Sequence, residues 1–204
     1  MQRIPGPLRV VLTGGIACGK TVISDDFKAL GTTVIDTDVI SRELSQPGSP
    51  MLKAIARALG NEVIAPDGSL LRRRVREIVF HDKSKLEKLN SITHPAIMGE
   101  ALCRAQSAPG RYVILAVPLF FESKNRDYAD RVLVADCSEQ TQLKRLMERD
   151  GSPEDTARGI LRSQVSREVR RKGADDLIET DKLSLNEIRD AVLNLHEKYS
   201  AIKV

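Results

Sequence analysis

Gly14-Gly15-Ile16-Ala17-Cys18-Gly19-Lys20-Thr21 follows directly on the apolar run at residues 8–13. The two together read as a strand, a phosphate-binding loop and the start of a helix. The octet is the pattern G-x-x-x-x-G-K-[ST], and each residue type in it has a task around a triphosphate. Gly14 and Gly19 reach backbone angles that residues with a Cβ avoid, so successive N–H groups turn inward and make an anion-binding concavity. The N-terminus of the following helix adds its own unsatisfied N–H groups and positive dipole end. Lys20 brings a point charge to the β- and γ-phosphates, and the Thr21 hydroxyl is a Mg²⁺ ligand. The stretch after the loop places Val22, Ile23, Phe27 and Leu30 at helical spacing and stops at Gly31. The expected lining of a bound ATP is therefore Gly14, Gly15, Ile16, Ala17, Cys18, Gly19, Lys20, Thr21 and Val22.

Composition narrows the class. With 204 residues, 41% apolar and 29% charged, the chain is long enough for one substantial core and ordinary for a water-soluble globular domain. It has no Trp and only 3% aromatic residues, too few to build stacking platforms for single-stranded nucleic acid. A net charge of +4 suits a polyanionic small substrate. No apolar run approaches a membrane span, and residues 1–7 hold two prolines and no apolar core of a signal peptide. Three cysteines, Cys18, Cys103 and Cys137, are odd in number and follow no ligand spacing. That pattern points to a reducing compartment, the cytoplasm, and away from disulfides and zinc.

Apolar runs alternate with helical stretches, which predicts an α/β domain with a mostly parallel sheet covered on both faces. Strands are expected at 8–13, 33–35, 112–117, 131–135 and 175–178. Helices are expected at 51–59, stopped by Gly60, at 69–80 after the Asp67-Gly68 turn, and at 85–91 with a boundary at His94-Pro95. Two more are expected at 138–150 and after the Gly151-Ser152-Pro153 break, with Ser152 as N-cap and Pro153 as first helical residue. Ser184-Leu185-Asn186-Glu187 reads as a capping box. It opens a final helix whose apolar face is Leu185, Ile188, Val192, Leu195 and Tyr199. In such sheets ligands sit at the carboxyl ends of the strands. That edge carries the Gly-rich loop, Asp36 with Asp38, and residues 118–122.

Asp36 and Asp38, read as part of an extended segment, point the same way and present two carboxylates to one site. A phosphoryl-transfer enzyme needs such an acid to orient the acceptor hydroxyl and take its proton. The alternative is a helix N-cap. Arg145 with Arg149, and Arg158 with Arg162, stand at i,i+4 on consecutive helices and read either as a lid closing guanidinium groups onto phosphates or as solvated surface. Arg72-Arg73-Arg74-Val75-Arg76 reads as a nucleic-acid patch or as a local anion pocket for a phosphorylated acceptor. His94 reads as a capping or packing residue, and Cys103 and Cys137 as small apolar core residues. Cys18, beside Lys20 and a helix N-terminus, is expected to be the most reactive thiol, unless it merely replaces a small Ser and points inward.

Together these motifs resemble the dephospho-CoA kinase family. The segments that carry the resemblance run from about residue 12 to about residue 178. They are Leu12-Thr13-Gly14-Gly15-Ile16 with the loop, Val34-Ile35-Asp36-Thr37-Asp38, Pro47-Gly48, Asp67-Gly68-Ser69-Leu70, and Leu89-Asn90 with His94-Pro95. They continue with Pro118-Leu119 and Glu122, Gln142-Leu143-Lys144-Arg145 with Arg149, Gln164 before Arg167, and Ala174-Asp175-Asp176. The resemblance implies a single P-loop kinase domain over residues 1–204. Its core is at 8–39, 108–137 and 172–204, its helical CoA-binding insertion at about 40–107, and its lid at about 145–170.

The resemblance also implies ATP-dependent phosphorylation of the ribose 3′-hydroxyl of dephospho-CoA, with Asp38 as base, Lys20 and Arg149 as further catalytic residues, and Arg145 and Arg149 on ATP. The expected acceptor set is Asp36, Asp38, Arg72, Arg76, His94, Pro118 and Glu122. Expected partners are ATP and dephospho-CoA, with neither nucleic acid nor membrane, in a monomer. The chain departs from the family pattern in three places, one of them past residue 178, where Glu179-Thr180-Asp181 replaces the usual Asn/Gly-rich turn. Ala17-Cys18-Gly19-Lys20-Thr21-Val22 stands where Gly-Ser-Gly-Lys-Ser-Thr is usual. Ala116 and Val117 stand where many members carry an acid, which leaves Mg²⁺ to Thr21 and to Asp36 or water.

Other readings are another P-loop kinase for nucleoside monophosphates or small alcohols, a GTPase switch and a nucleic-acid-binding protein. The GTPase needs an Asn-Lys-x-Asp reader, and Lys124-Asn125-Arg126-Asp127 has the first two residues in the wrong order.

Overall fold

The computed structural model describes residues 6–123 and 125–203. Residues 1–5 of the N-terminal stretch and Lys124 of the guanine-reader comparison lie outside the described residues. The described chain divides into two compact units. One comprises the described parts of Met1–Ile35 and Arg104–Val204, and the other is Asp36–Cys103.

The first unit is built on a five-stranded sheet in the order β2-β3-β1-β4-β5. Its strands are β1 (Leu8–Gly14), β2 (Val34–Asp36), β3 (Tyr112–Ala116), β4 (Arg131–Asp136) and β5 (Asp176–Glu179). β1 runs parallel to both β3 and β4, and β4 runs parallel to β5. Every residue of β3 is buried and β1 is buried at six of its seven positions. That is the near-continuous apolar pattern of strands covered on both faces. The connection leaving β1 runs toward the β2 edge, and the one leaving β4 runs toward β5. The loop after β1 therefore opens at the topological switch point, where open α/β sheets bind ligands.

α1 (Lys20–Ala29) follows that loop and is held by its inner face. Ile23 and Phe27 are fully buried, and the Phe27 ring stacks on Tyr199 at 6.3 Å and meets Tyr112 edge-on at 6.2 Å. Val22 and Leu30, expected on the apolar face, are exposed instead. Val22 lies about 100° round the helix from Ile23, off the stripe that faces α9 (Leu185–Ala201), and Leu30 is the C-cap residue beyond the last helical turn. The capping box of α9 is present, with Ser184 Oγ accepting from Glu187 N and the Glu187 carboxylate accepting from Ser184 N at 2.7 Å. Ile188, Val192 and Tyr199 are buried, whereas Leu185 sits in the first turn and is exposed. Between β4 and β5 lie α6 (Glu139–Asp150), α7 (Glu154–Arg162) and α8 (Arg167–Lys172). Pro153, rather than Ser152, is the N-cap of α7, so the start is one residue later than expected and has no side-chain cap.

The second unit holds α2 (Thr37–Leu44), α3 (Pro50–Leu59), a single 3-10 turn at Asn61–Val63 and α4 (Arg72–His81), and most of α5 (Lys83–Gln106). Met51, Ile55, Leu59, Val63 and Val75 form its core. The expected boundary at His94-Pro95 does not exist, because α5 continues through Pro95. Pro95 withdraws one donor from the Ser91 carbonyl. Ser91 is exposed, so water can replace that donor and the helix survives. The basic helix begins at Arg72, three residues later than expected, because Leu70 is engaged in a bridge to Ile64.

Candidate active site

In the first unit the loop at residues 14–21 has the backbone that the glycine pattern demands. Gly14 and Gly19 have φ of +150° and +81°. A Cβ on Gly14 would stand 2.2 Å from the Ala135 carbonyl oxygen on β4, so no other residue fits. Ala17 also has a positive φ, +59°, at the position where the family usually has Gly. Lys20 lies over the loop, its Nζ donating to the Gly14 carbonyl at 2.9 Å and to the Gly15 carbonyl at 3.1 Å. Thr21 and Val22 are exposed in the first turn of α1.

Side chains from distant segments hold the loop in this shape. Ile16 N donates to the Gln164 side-chain oxygen at 2.9 Å, and Gln142 Nε2 donates to Ile16 O at 2.7 Å. Arg145 Nη1 reaches Ala17 O at 3.4 Å, and its guanidinium also bonds Thr180. The Thr180 hydroxyl donates to Cys18 O at 3.0 Å. Gln142, Gln164 and Thr180 were not among the expected site residues. Gln142 and Gln164 sat inside segments that carried the resemblance, but an isolated glutamine gives no spacing signal. Thr180 lay in the stretch where the chain departs from the family.

Asp136, the last residue of β4, is 1% exposed. Arg167 Nη2 donates to it at 2.7 Å, and Arg171 bonds the same carboxylate. Burial alone would raise this carboxyl. The hydrogen bonds and charges of Arg167 and Arg171 outweigh burial and hold it below the usual Asp value. Arg149, expected on phosphate, ends α6 with an exposed guanidinium paired to Asp150 at 2.7 Å. Arg158 is likewise paired, with Glu154. Pro118 O accepts from the Thr13 hydroxyl at 3.3 Å, and the exposed Glu122 accepts from Val165 N at 3.1 Å.

Cys18 points inward, as the replacement for a small Ser, and is 1% exposed. Its thiol is held low mainly by a hydrogen bond from Cys137, against burial and with help from Lys20 and Arg170. The same contact and burial push Cys137 up. Cys103, expected in the core, is exposed. It lies on the outer side of α5, where an unbranched thiol at one helical position gave no sign of which face it occupied.

In the second unit, the expected pairing of Asp36 and Asp38 along a strand does not occur. Asp36 is the N-cap of α2, with Oδ1 accepting from Asp38 N at 2.7 Å and from Val39 N at 3.4 Å. Asp38 is already in the first helical turn, so the two side chains follow helical rather than strand geometry. Arg72 Nη2 donates to Ser45 Oγ at 2.8 Å, Arg73 and Arg74 pair with Glu77, and Arg76 is exposed. His94 is exposed in the middle of α5 and so caps no helix end.

No group of three or more His, Cys, Asp or Glu side chains is arranged to hold a metal among the described residues. No described helix is long and apolar enough to cross a membrane.

Comparison with known proteins adds a family to this geometry. A family model described as dephospho-CoA kinase matches residues 8–186. Two proteins named dephospho-CoA kinase are similar over nearly their whole length. The one from Idiomarina loihiensis is 40% identical, covering 96% of each chain. The one from Aeromonas hydrophila is 44% identical, covering 94% of each. Among solved structures, the dephospho-CoA kinase from Campylobacter jejuni superposes with a TM-score of 0.70 at 26% identity, over 94% of this chain and 96% of that one.

Proposed function

The chain belongs to the dephospho-CoA kinase family, and from that premise we propose how its residues divide the work. The reaction is the ATP-dependent phosphorylation of dephospho-CoA that yields coenzyme A and ADP. The acceptor atom in this reading is the ribose 3′-hydroxyl. The observation that carries the assignment of the ATP site is the loop at 14–21, shaped by Gly14 and Gly19 and clamped at Ile16 by two glutamines.

Phosphoryl transfer asks a protein for positioning and charge stabilisation more than for covalent chemistry. The inward N–H groups of the loop and the start of α1 hold the phosphate oxygens. Lys20 leaves the Gly14 and Gly15 carbonyls for the β- and γ-phosphates and stabilises the charge that develops as the phosphoryl group moves. Asp38 takes the proton of the acceptor hydroxyl. Arg145, already fixed to the loop and to Thr180, lies on the nucleotide side. Arg149 reaches phosphate by giving up Asp150. Arg72, Arg76, His94, Pro118 and Glu122 belong to the acceptor.

Mg²⁺ accompanies ATP. The residues that would hold it are Thr21, through its exposed hydroxyl, and Asp36, through its carboxylate. A small carboxylate and hydroxyl count suits Mg²⁺, which keeps several waters and takes its remaining ligands from phosphate. Bound there, it would supply positive charge against the phosphate oxygens. The enzyme works in the cytoplasm as a monomer, in keeping with three cysteines of which none forms a disulfide.

The test is ADP release by the purified protein with Mg·ATP, with and without dephospho-CoA, with coenzyme A identified by mass. Nucleoside monophosphates and small alcohols serve as competing acceptors. ADP release that depends on dephospho-CoA is expected. Equal release without it, or preference for another acceptor, overturns the reading.

A further inference from the structure

The three arginines of α8 differ in what neutralises them. Arg167 and Arg171 bond Asp136, and Arg171 also pairs with Glu179 at 2.8 Å. Arg170 is the buried one, 5% exposed. Its Nη1 donates to the Val165 carbonyl at 2.5 Å. Its Nε is sealed from solvent with no hydrogen-bond partner. No carboxylate pairs with it among the described residues. A guanidinium does not give up its proton in a protein. Burying it without a counter-charge therefore carries a large desolvation cost, which an anion would offset.

The place where the group points identifies that anion. A Cβ built on Gly15 would stand 2.9 Å from Arg170 Nη2 and 2.3 Å from Gln142 Nε2. Gly15 is thus the gap through which the guanidinium reaches the loop. Lys20 Nζ bonds the carbonyl of the same residue at 3.1 Å. Two cations of the first unit share one address in the loop, and one of them lacks a partner charge.

We propose that Arg170 is a second cation of the phosphate cradle, contacting β- or γ-phosphate oxygens of ATP beside Lys20. The proposal rests on the reading of residues 14–21 as the ATP phosphate site. It gives Arg170 a task that the exposed, Asp150-paired Arg149 was expected to perform. The bound triphosphate supplies the counter-charge that the fold leaves out.

The experiment compares Arg170→Met, Arg170→Gln and Lys20→Met with the parent enzyme. It measures ATP and AMP affinity by calorimetry, and melting temperature with and without Mg·ATP. Arg170→Met keeps the side-chain length and removes the charge. Loss of one charge-assisted contact predicts ATP binding weaker on the order of 10- to 100-fold, with AMP affinity changed less than about twofold. The melting temperature of the nucleotide-free protein should hold or rise, because an uncompensated buried charge is gone. The rise produced by ATP should shrink in proportion to the lost affinity.

A structural arginine gives the opposite pattern: a lower melting temperature without nucleotide and unchanged ATP affinity in the folded fraction. That pattern, or equal losses for ATP and AMP, overturns the proposal. If Arg170→Met does not fold, the same split between ATP and AMP is read on Arg170→Gln. ATP affinity lost in Lys20→Met but kept in both Arg170 variants overturns Arg170 alone. ATP affinity kept in Lys20→Met overturns the phosphate-site reading beneath it.

Discussion

The Ile16 N–H donates to the Gln164 side-chain oxygen at 2.9 Å across 148 residues of sequence. The carbonyl of Ile16 is taken from the other side by Gln142 Nε2 at 2.7 Å. Ile16 N can only donate and Ile16 O can only accept, so both amide orientations are fixed by the contact. A loop whose N–H groups must face phosphate is thereby prevented from rotating the two successive peptides that flank Ile16.

This clamp predicts two graded effects. Gln142 is buried, so Gln142→Met leaves the Ile16 carbonyl without its donor, costing about 1–3 kcal/mol in stability. Gln164→Ala frees the Ile16 N–H in a half-buried place and costs less in stability. Both variants should raise the Michaelis constant for ATP by roughly tenfold, since an unclamped loop must be ordered by the nucleotide. Thermal melts and initial rates check this. Unchanged ATP constants in both would show that the loop keeps its shape without the glutamines.

Ala17 stores strain that a single substitution releases. Its φ of +59° is a left-handed conformation costing an L-residue about 1 kcal/mol. Ala17→Gly removes that cost and gives part of it back through a more flexible unfolded chain. A net gain of about 0.5 kcal/mol is expected, a rise of roughly 1–2 °C in a chain of this length. Ala17→Val, β-branched at positive φ, should lower the melting temperature instead. Calorimetric melts of the pair decide the sign.

The strand-loop-helix unit was readable because two periodicities and a glycine pattern meet within residues 8–30, and each constrains the backbone locally. The capping box at Ser184 and Glu187 and the turn at Asp67-Gly68 were readable for the same reason. In that turn Ser69 N donates to Asp67 Oδ1 at 2.9 Å. What hid was information carried by packing. Pro95 reads as a break, and only the exposure of Ser91 shows that the helix can lose a donor there. Asp36 reads as half of a strand pair, yet its carboxylate caps the next helix, and no alternation rule survives across a cap. Of the arginines, i,i+4 spacing drew attention to Arg149, whereas Arg170 differs by lacking an acid, which depends on where every carboxylate folds.

Acid should loosen the β4–α8 region first. Asp136 is held below its ordinary value because Arg167 and Arg171 outweigh burial. Asp176 is also held low, where bonds from Arg131, Lys198 and Tyr199 outweigh burial. A folded-state value below the unfolded one, about 3.9, gives stability that is present above that pH. It is lost as pH falls through the folded value. Urea midpoints should therefore be flat from about pH 5 to 7 and fall steeply below about pH 4. Asp136→Asn should lower the melting temperature at pH 7 by roughly 5 °C and make the acid limb shallower. An acid limb identical to the parent's would show that Asp136 does not drive it.

The two aspartates at the start of α2 separate by the same substitution. Asn caps a helix as well as Asp does, so Asp36→Asn keeps α2 and removes only the charge. It should raise the Mg²⁺ concentration needed for half-maximal rate, with turnover at saturating Mg²⁺ little changed. Asp38→Asn keeps the size and removes the proton acceptor. Its turnover should fall on the order of 10²- to 10⁴-fold while ATP affinity is kept. Rates at varied Mg²⁺ and equilibrium ATP binding check both. A turnover loss in Asp36→Asn with none in Asp38→Asn would exchange their roles.

Thiol labelling should follow exposure rather than acidity. Cys18 is the thiol held low, chiefly by its bond from Cys137, and thiolate character favours attack on an alkylating reagent. It is nonetheless 1% exposed, and Cys137 beneath it is fully buried. A reagent the size of iodoacetamide cannot reach either without opening the loop from β4 and Thr180. Cys103 is exposed on α5 and needs no opening. Limited alkylation of the native protein should therefore mark Cys103 first and nearly alone, at a rate that Mg·ATP does not change. Cys18 and Cys137 should label together, and only as denaturant unfolds the first unit, because opening one uncovers the other. Mass spectrometry of the peptides at short times reads this directly. Early labelling of Cys18 that Mg·ATP suppresses would instead show that the loop opens on its own and closes on nucleotide.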